Sequence, residues 1–310
     1  MSKKTTVATI VSLILLWGLS WPAIKVGLAY SPPLLYAGMR TLGGGLLLLL
    51  FALPTWRRLQ FRSQWRVYLI SSLLNVVLFF GLQTVGLYFL PAGLLAVLVY
   101  LQPILVGFLA WLWLGESLSV AKIIGLLLGF LGVATVSFES ISGKTSLTGI
   151  LIAISAAVAW AIGTVYVKRV QGQVDLLWLV GMQFSLGGLV LLGTGLTFES
   201  WQQIHWTWTL LASQLYAIVF GVSVSWMMWI RLVHAGEVSR TSSYIFVVPL
   251  LSVFLGSLFL HESLSVFLLA GLSLIVAGIY LANRPAKLTP AVSPANPTDS
   301  STQTDSSATM

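Results

Sequence analysis

The chain has no cysteine. Disulfide frameworks, thiolate metal sites and a cysteine nucleophile are therefore excluded. Charge is also scarce. Asp, Glu, Lys and Arg make up 8% of the 310 residues, where a soluble domain carries about 25%, so most of this surface cannot face water. Histidine occurs at His205, His234 and His261, all in loops or at helix ends. No HExxH, G-x-S-x-G or phosphate-loop pattern is present, so neither a hydrolase nor an ATPase has residues to rest on. No cofactor and no metal site is expected. No Asp or Glu falls inside any long apolar run, which leaves no carboxylate to carry protons at mid-membrane depth.

Apolar residues fill 57% of the chain, and the mean hydropathy is +0.95. A spanning helix needs about 20 mostly apolar residues. Ten runs qualify: 7–26, 34–53, 67–88, 93–114, 120–138, 149–167, 176–196, 209–230, 242–260 and 266–282. The first run follows Lys3-Lys4 without a small-residue cleavage site, and it aligns with an internal helix around Trp160. It reads as a retained span and not a signal peptide. Residues 285–310 are rich in Ser, Thr, Pro and Ala; that composition cannot bury a core and predicts a disordered tail.

The chain is written twice. Pro103 pairs with Pro249, Glu116 with Glu262, Gly125 with Gly271 and Gly132 with Gly278, all at one constant offset. An offset three residues shorter links Trp17 with Trp160, Lys25 with Lys168, and Gly44-Gly45 with Gly187-Gly188. Five apolar runs fall in each half. An odd number forces the second half to enter from the opposite face, so the expected fold is all-α and integral to the membrane, with ten transmembrane helices in two inverted five-helix repeats. That geometry suits alternating access.

Orientation follows from the basic residues, since Lys and Arg in short loops favour the cytoplasm. With the N-terminus inside, thirteen of them fall on the inner side, including Lys3, Lys4, Arg57, Arg58, Arg62, Arg66, Arg169, Arg231 and Arg284. Lys25 and Lys144 fall outside, and Arg40 lies within the second helix. The net charge of +8 thus reads as topology and not as nucleic-acid binding. A multi-pass plasma-membrane protein with both termini cytoplasmic is expected, as monomer or homodimer, with the bilayer and a small molecule as partners.

The paired strings around Pro103, Leu114, Glu116 and Ser117-Leu118-Ser119, and around Pro249, Leu260, Glu262 and Ser263-Leu264-Ser265, resemble the EamA domain of the drug/metabolite transporter superfamily. Trp17-Gly18 in the first helix and Arg40 before Gly43-Gly44-Gly45 fit the same pattern. The resemblance covers two repeats, 1–140 and 149–283. It implies ten helices, a central cavity and the export of small metabolites. This chain departs from internal symmetry where Gln183 stands in the place of Arg40, and where His261 replaces Gly115.

Candidate site residues are the polar and aromatic groups at mid-span depth, where lipid exposure costs most. Asn75, Phe79 and Gln83 recur every four residues and share a helical face. Trp17 and Trp21 form a similar stripe, and Tyr100, Trp160, Ser225 and Tyr244 complete the expected cavity lining. Pro103 and Pro249 read as mid-helix kinks, with packing as the alternative. Arg40, Glu116 and Glu262 are assigned to coupling or to structure. Ser119 and Ser265 read as helix N-caps. A lining of Trp, Tyr and neutral amides suits a small neutral, zwitterionic or hydrophobic solute. An organophosphate or nucleotide-sugar antiporter is the alternative, and a membrane receptor or structural protein is the alternative of another class.

Overall fold

The computed structural model describes residues 2–90, 92–136, 138, 146–260 and 266–284. Glu262, His261, Ser265 and the 285–310 tail lie outside the described residues. Among those described no strand forms. The helices are α1 (Lys3–Leu28), α2 (Pro33–Ala52), α3 (Phe61–Gly86), α4 (Ala92–Val99 and Gln102–Leu114), α5 (Val120–Val136), α6 (Leu147–Arg169), α7 (Leu176–Phe198), α8 (Trp208–Ala235), α9 (Val238–Ser243, Tyr244–Phe246 and Val247–Leu260) and α10 (Val266–Ala282). Seven of these are long and apolar enough to cross a bilayer, and α5, α9 and α10 carry shorter apolar stretches.

Local chemistry sets the helix ends. Asp175 begins α7 by accepting from the Leu177 and Trp178 amides at 3.0 and 3.3 Å. Ser119 begins α5 by accepting from the Lys122 amide at 3.2 Å. Gly115 closes α4 at φ +68°, a left-handed position where a side chain would be strained. Leu50, Phe51, Leu196, Leu215 and Leu269 are exposed along the outer helix faces. Trp56, Trp65, Trp201, Trp206 and Trp208 are exposed at the two ends of the bundle. An apolar belt with aromatic rims is the surface of a membrane protein.

Two glycine seams hold the halves together. A Cβ on Gly45 of α2 would lie 2.7 Å from the Phe184 carbonyl carbon, beside Ser185, and one on Gly188 of α7 would lie 2.6 Å from Leu42 Cα. Gly38 likewise meets Leu192, and Gly181 meets Leu49. Shifted by the repeat offset, each contact becomes its partner. As the number rises along α2 the contacted number falls along α7, so these duplicated helices run antiparallel. The seam between α5 and α10 repeats the arrangement: Gly125 meets the Gly278 carbonyl oxygen at 2.6 Å, and Gly132 meets that of Gly271 at 2.8 Å. Helices from the two halves thus pack on their own equivalents, the close approach that small residues permit.

Four interruptions depart from the uniform helices read from hydropathy. Leu73–Leu78 in α3 and Ala217–Val224 in α8 are π-helical. Helix α4 breaks at Tyr100-Leu101, and α9 tightens into a 3₁₀ turn at Tyr244–Phe246. The sequence places Pro103 and Pro249 mid-span as kinks. Each stands in the first turn of a new helical segment, beginning at Gln102 and at Val247. There the missing N–H has no intrahelical partner to lose, so each proline restarts a helix directly after a break.

Candidate functional site

A cavity of about 100 Å³ lies between α1, α2, α3, α4, α6 and α8. Helix α1 contributes Trp17, Trp21 and Ile24 with Ser20; α2 contributes Tyr36 and Arg40; α3 contributes Phe79, Phe80, Gln83 and Thr84. Tyr100 lines it from the α4 break, Trp160 from α6, and Gly221 and Trp226 from the widened stretch of α8 and just beyond it. The cavity reaches one end of the bundle at Leu28, Pro33 and Leu87, where α1, α2 and α3 meet their loops. Ligand pockets for drug-sized molecules measure roughly 300–1,000 Å³, so this conformation admits only a small solute.

Its inner wall is aromatic. Trp17 meets Trp160, its repeat equivalent, edge to face at 6.0 Å, and Phe79 stacks on Trp160 at 4.6 Å. Trp226 packs on Phe184 at 5.0 Å and on Phe80 at 5.9 Å. Each such pair contributes about 0.5–1.5 kcal/mol beyond its buried area, so the wall is pre-organised. The contact between Trp17 and Trp160 places the cavity where the two halves meet. Tyr36 fixes the α1–α2–α8 side through a 2.6 Å hydrogen bond to Ser213, which donates to the Ala23 carbonyl at 2.7 Å.

Arg40 is the exception in this lining. It is 7% exposed, its guanidinium stands 4.8 Å over the Phe80 ring, and its Nε has no hydrogen-bond partner among the described residues. Arginine keeps its charge in proteins. A desolvated cation–ring contact offsets about 2 kcal/mol, whereas burying an ion costs several kcal/mol. The ring alone does not compensate this charge. The Trp160 indole N–H is also buried without an acceptor. Among the described residues no Asp, Glu or His lines the cavity, and no cluster of His, Asp and Glu could hold a metal.

The EamA-like transporter family matches this chain twice, over residues 4–138 and 147–284. The chain belongs to that family. Among curated relatives, the uncharacterized transporter YvbV of Bacillus subtilis (strain 168) is 48% identical over 92% of this chain and 93% of its own length. The probable amino-acid metabolite efflux pump of Escherichia coli (strain K12) is 26% identical over 91% of this chain and 95% of its own. A solved crystal structure shares the fold at TM-score 0.79 and 21% identity, covering 91% of this chain and 97% of that one. The protein is a membrane transporter of the EamA-like family, and these two curated relatives are named for transport and efflux.

In this EamA-like transporter the residues singled out in the sequence divide into two groups. Trp17, Trp21, Phe79, Gln83, Tyr100, Trp160 and Arg40 share the cavity. Asn75, Ser225 and Tyr244 are not in its lining. Asn75 lies in the π segment of α3, whose wider turn breaks the four-residue stripe. It donates to Gln183 at 3.4 Å and packs where a Cβ on Gly163 would collide with it. Ser225 donates to the Phe220 carbonyl within the widened turn of α8, and Tyr244 opens the 3₁₀ turn of α9. The lining residues Tyr36, Phe80, Thr84 and Trp226 escape the sequence reading. Trp226 was within reach, because shifting it back by one repeat lands on Phe80 or Gln83, depending on which offset is used.

The end of the bundle opposite the cavity mouth is closed by polar contacts between the halves. The Glu116 carboxylate, just after α4, accepts from the Val238 and Ser239 amides, the latter at 3.1 Å, and from the Ser239 hydroxyl. It thereby caps α9 of the other half. Lys122, 2% exposed, donates to Glu237 and to Ser239 Oγ, both at 2.9 Å. Within the second half, Lys168 donates to the His234 carbonyl at 3.0 Å. At the mouth end Glu199 plays the capping part, accepting from the Leu34 and Leu35 amides of α2 at 2.9 and 2.8 Å and from the Tyr88 hydroxyl at 2.8 Å.

Proposed function

We propose that this transporter exports small zwitterionic, neutral or hydrophobic metabolites, amino-acid-like solutes foremost, by alternating access. Ten spans form two inverted repeats, 1–140 and 149–283, and these rock about the axis marked by the α2–α7 and α5–α10 seams. The observation that carries the reading is the cavity walled by Trp17 and Trp160, which reaches one end of the bundle while the other end is latched by Glu116 and Lys122. The basic loops lie at the latched end, so the termini are cytoplasmic, the membrane is the plasma membrane, and this conformation faces outward. The efflux name of the Escherichia coli relative supports the direction.

A phosphate-bearing substrate is less well served. A dianion calls for several basic groups, and the lining offers Arg40 alone. The test is counterflow in liposomes reconstituted with purified protein, across labelled amino acids, amino-acid derivatives and sugar phosphates. At least one amino-acid-like solute should exchange well above protein-free liposomes, with Trp17→Ala and Trp160→Ala reducing exchange at least tenfold. Movement of sugar phosphates alone would replace the reading, and exchange of no solute would remove it.

A further inference from the structure

Arg40 and Trp160 both line the cavity, whose described lining holds no anion, and each carries a buried donor without a partner, the guanidinium Nε and the indole N–H. Arginines inside membrane proteins ordinarily pair with a carboxylate or a carbonyl. Arg40 does neither among the described residues; its guanidinium packs against the Phe80 ring. The equivalent position in the second half behaves differently: Gln183 accepts from Asn75 and belongs to the packing. The two halves thus carry a neutral amide, its Oε1 bonded and its Nε2 unpartnered, in the packing at one position and an uncompensated cation at its equivalent, and the cation is the one that lines the cavity.

We infer that Arg40 is the receptor for a single carboxylate on the transported solute. The planar guanidinium fork matches a carboxylate bidentately, and the Trp160 N–H, buried in the cavity wall without an acceptor, is a further donor for a solute that turns the ring toward it. One cation without a second basic residue in the lining selects a monoanion over a dianion. The aromatic wall formed by Trp17, Phe79 and Trp226 receives the remainder of the solute, including an ammonium group against a ring face. This narrows the proposed function and rests on it: the substrates are amino acids or organic monocarboxylates, and not neutral or cationic hydrophobes.

The test uses the full chain, purified, with its tryptophan fluorescence as the binding signal. The probes are L-leucine and L-phenylalanine, their amides, and 4-methylpentanoate and 3-phenylpropionate, in chloride-free sulfate buffer and again with chloride. The amino acids and acids should bind at least tenfold more tightly than the amides. That gap should close in Arg40→Gln and persist in part in Arg40→Lys. Without ligand, Arg40→Met should melt above the wild-type protein, because a buried unpaired charge is removed; an arginine with a structural role would give a lower melting temperature and overturn the inference. Amides that bind as tightly as acids to the wild type, or acids that do not bind at all, overturn it without any variant. Chloride binding at Arg40 as tightly as the acids assigns the site to an inorganic anion and overturns it as well. Counterflow without carboxylate preference sinks this inference and leaves the transport reading standing. Arg40-dependent carboxylate binding without counterflow does the reverse.

Discussion

Trp160 combines two roles that substitution can separate. Its ring stacks on Phe79 and meets Trp17, while its N–H has no partner. Trp160→Phe keeps most of the ring contact, so it should fold and melt within a few degrees of wild type while losing affinity for carboxylate solutes severalfold. Trp160→Ala removes the ring and should cost about 3–5 kcal/mol of stability, read from detergent melts. Glycines give a sharper contrast. Gly45→Ala and Gly188→Ala would each drive a Cβ into the backbone of the opposing helix, whereas Gly193→Ala, on the same α7, meets nothing within 4 Å. The first two should lower the melting temperature markedly and the third leave it unchanged; equal effects would mean that the seam is not the tight contact described. The duplicated Gly44-Gly45 and Gly187-Gly188 steps are legible in the sequence as close-approach sites. That Gly45 and Gly188 each pack against the other's helix, antiparallel, while Gly44 meets α8 and Gly187 meets α3, is a tertiary fact that no single helix encodes.

At the scale of helices, hydropathy reads where each apolar run lies but not how its backbone winds. A π turn leaves composition unchanged, which is why the stripe of Asn75, Phe79 and Gln83 holds for its last two members only. Ser223 shows how the widened turn of α8 is stabilised: its hydroxyl lies 2.8 Å from the Ile218 carbonyl in its own helix and 3.0 Å from that of Gly44 in α2. Helix α9 depends on a cap from the opposite half. Glu116, which the sequence assigns only to coupling or to structure, serves the Val238 and Ser239 amides of the opposite half with its carboxylate. Glu116→Ala should therefore loosen the latch without unfolding the bundle, and Lys122→Met should do the same through Glu237 and Ser239. The check is a single cysteine at Thr164, which is 2% exposed and touches Gln102 at 3.4 Å. Its labelling from the latched side should rise at least threefold in either variant. Unchanged labelling would mean that closure at that end rests on apolar packing instead.

For the whole molecule, the class of the fold was readable because lipid imposes it: long apolar runs, a duplicated half and basic loops leave few other architectures. The cavity was half readable, since mid-span polar and aromatic residues are its raw material, while its boundaries depend on which helices abut. The proposed orientation can be tested directly in a chain without native cysteine. A cysteine at Ser63 should label from the cytoplasm only and one at Ser146 from outside only; the reverse pattern would invert the assignment. Energy coupling is the larger question. Among the described residues the cavity lining contains no Asp, Glu or His, and Glu116 is engaged by backbone amides and a serine at the latched end. With no titratable carrier facing the solute, the cycle should run on the solute gradient or on exchange. Reconstituted protein should then move substrate with no imposed pH gradient, and added substrate should drive no proton flux detectable with a trapped pH dye. Substrate-driven proton movement that disappears in Glu116→Gln would overturn this, because it would mean that the carboxylate capping α9 exchanges its helix partners for a proton once per cycle and that the latch is itself the coupling device.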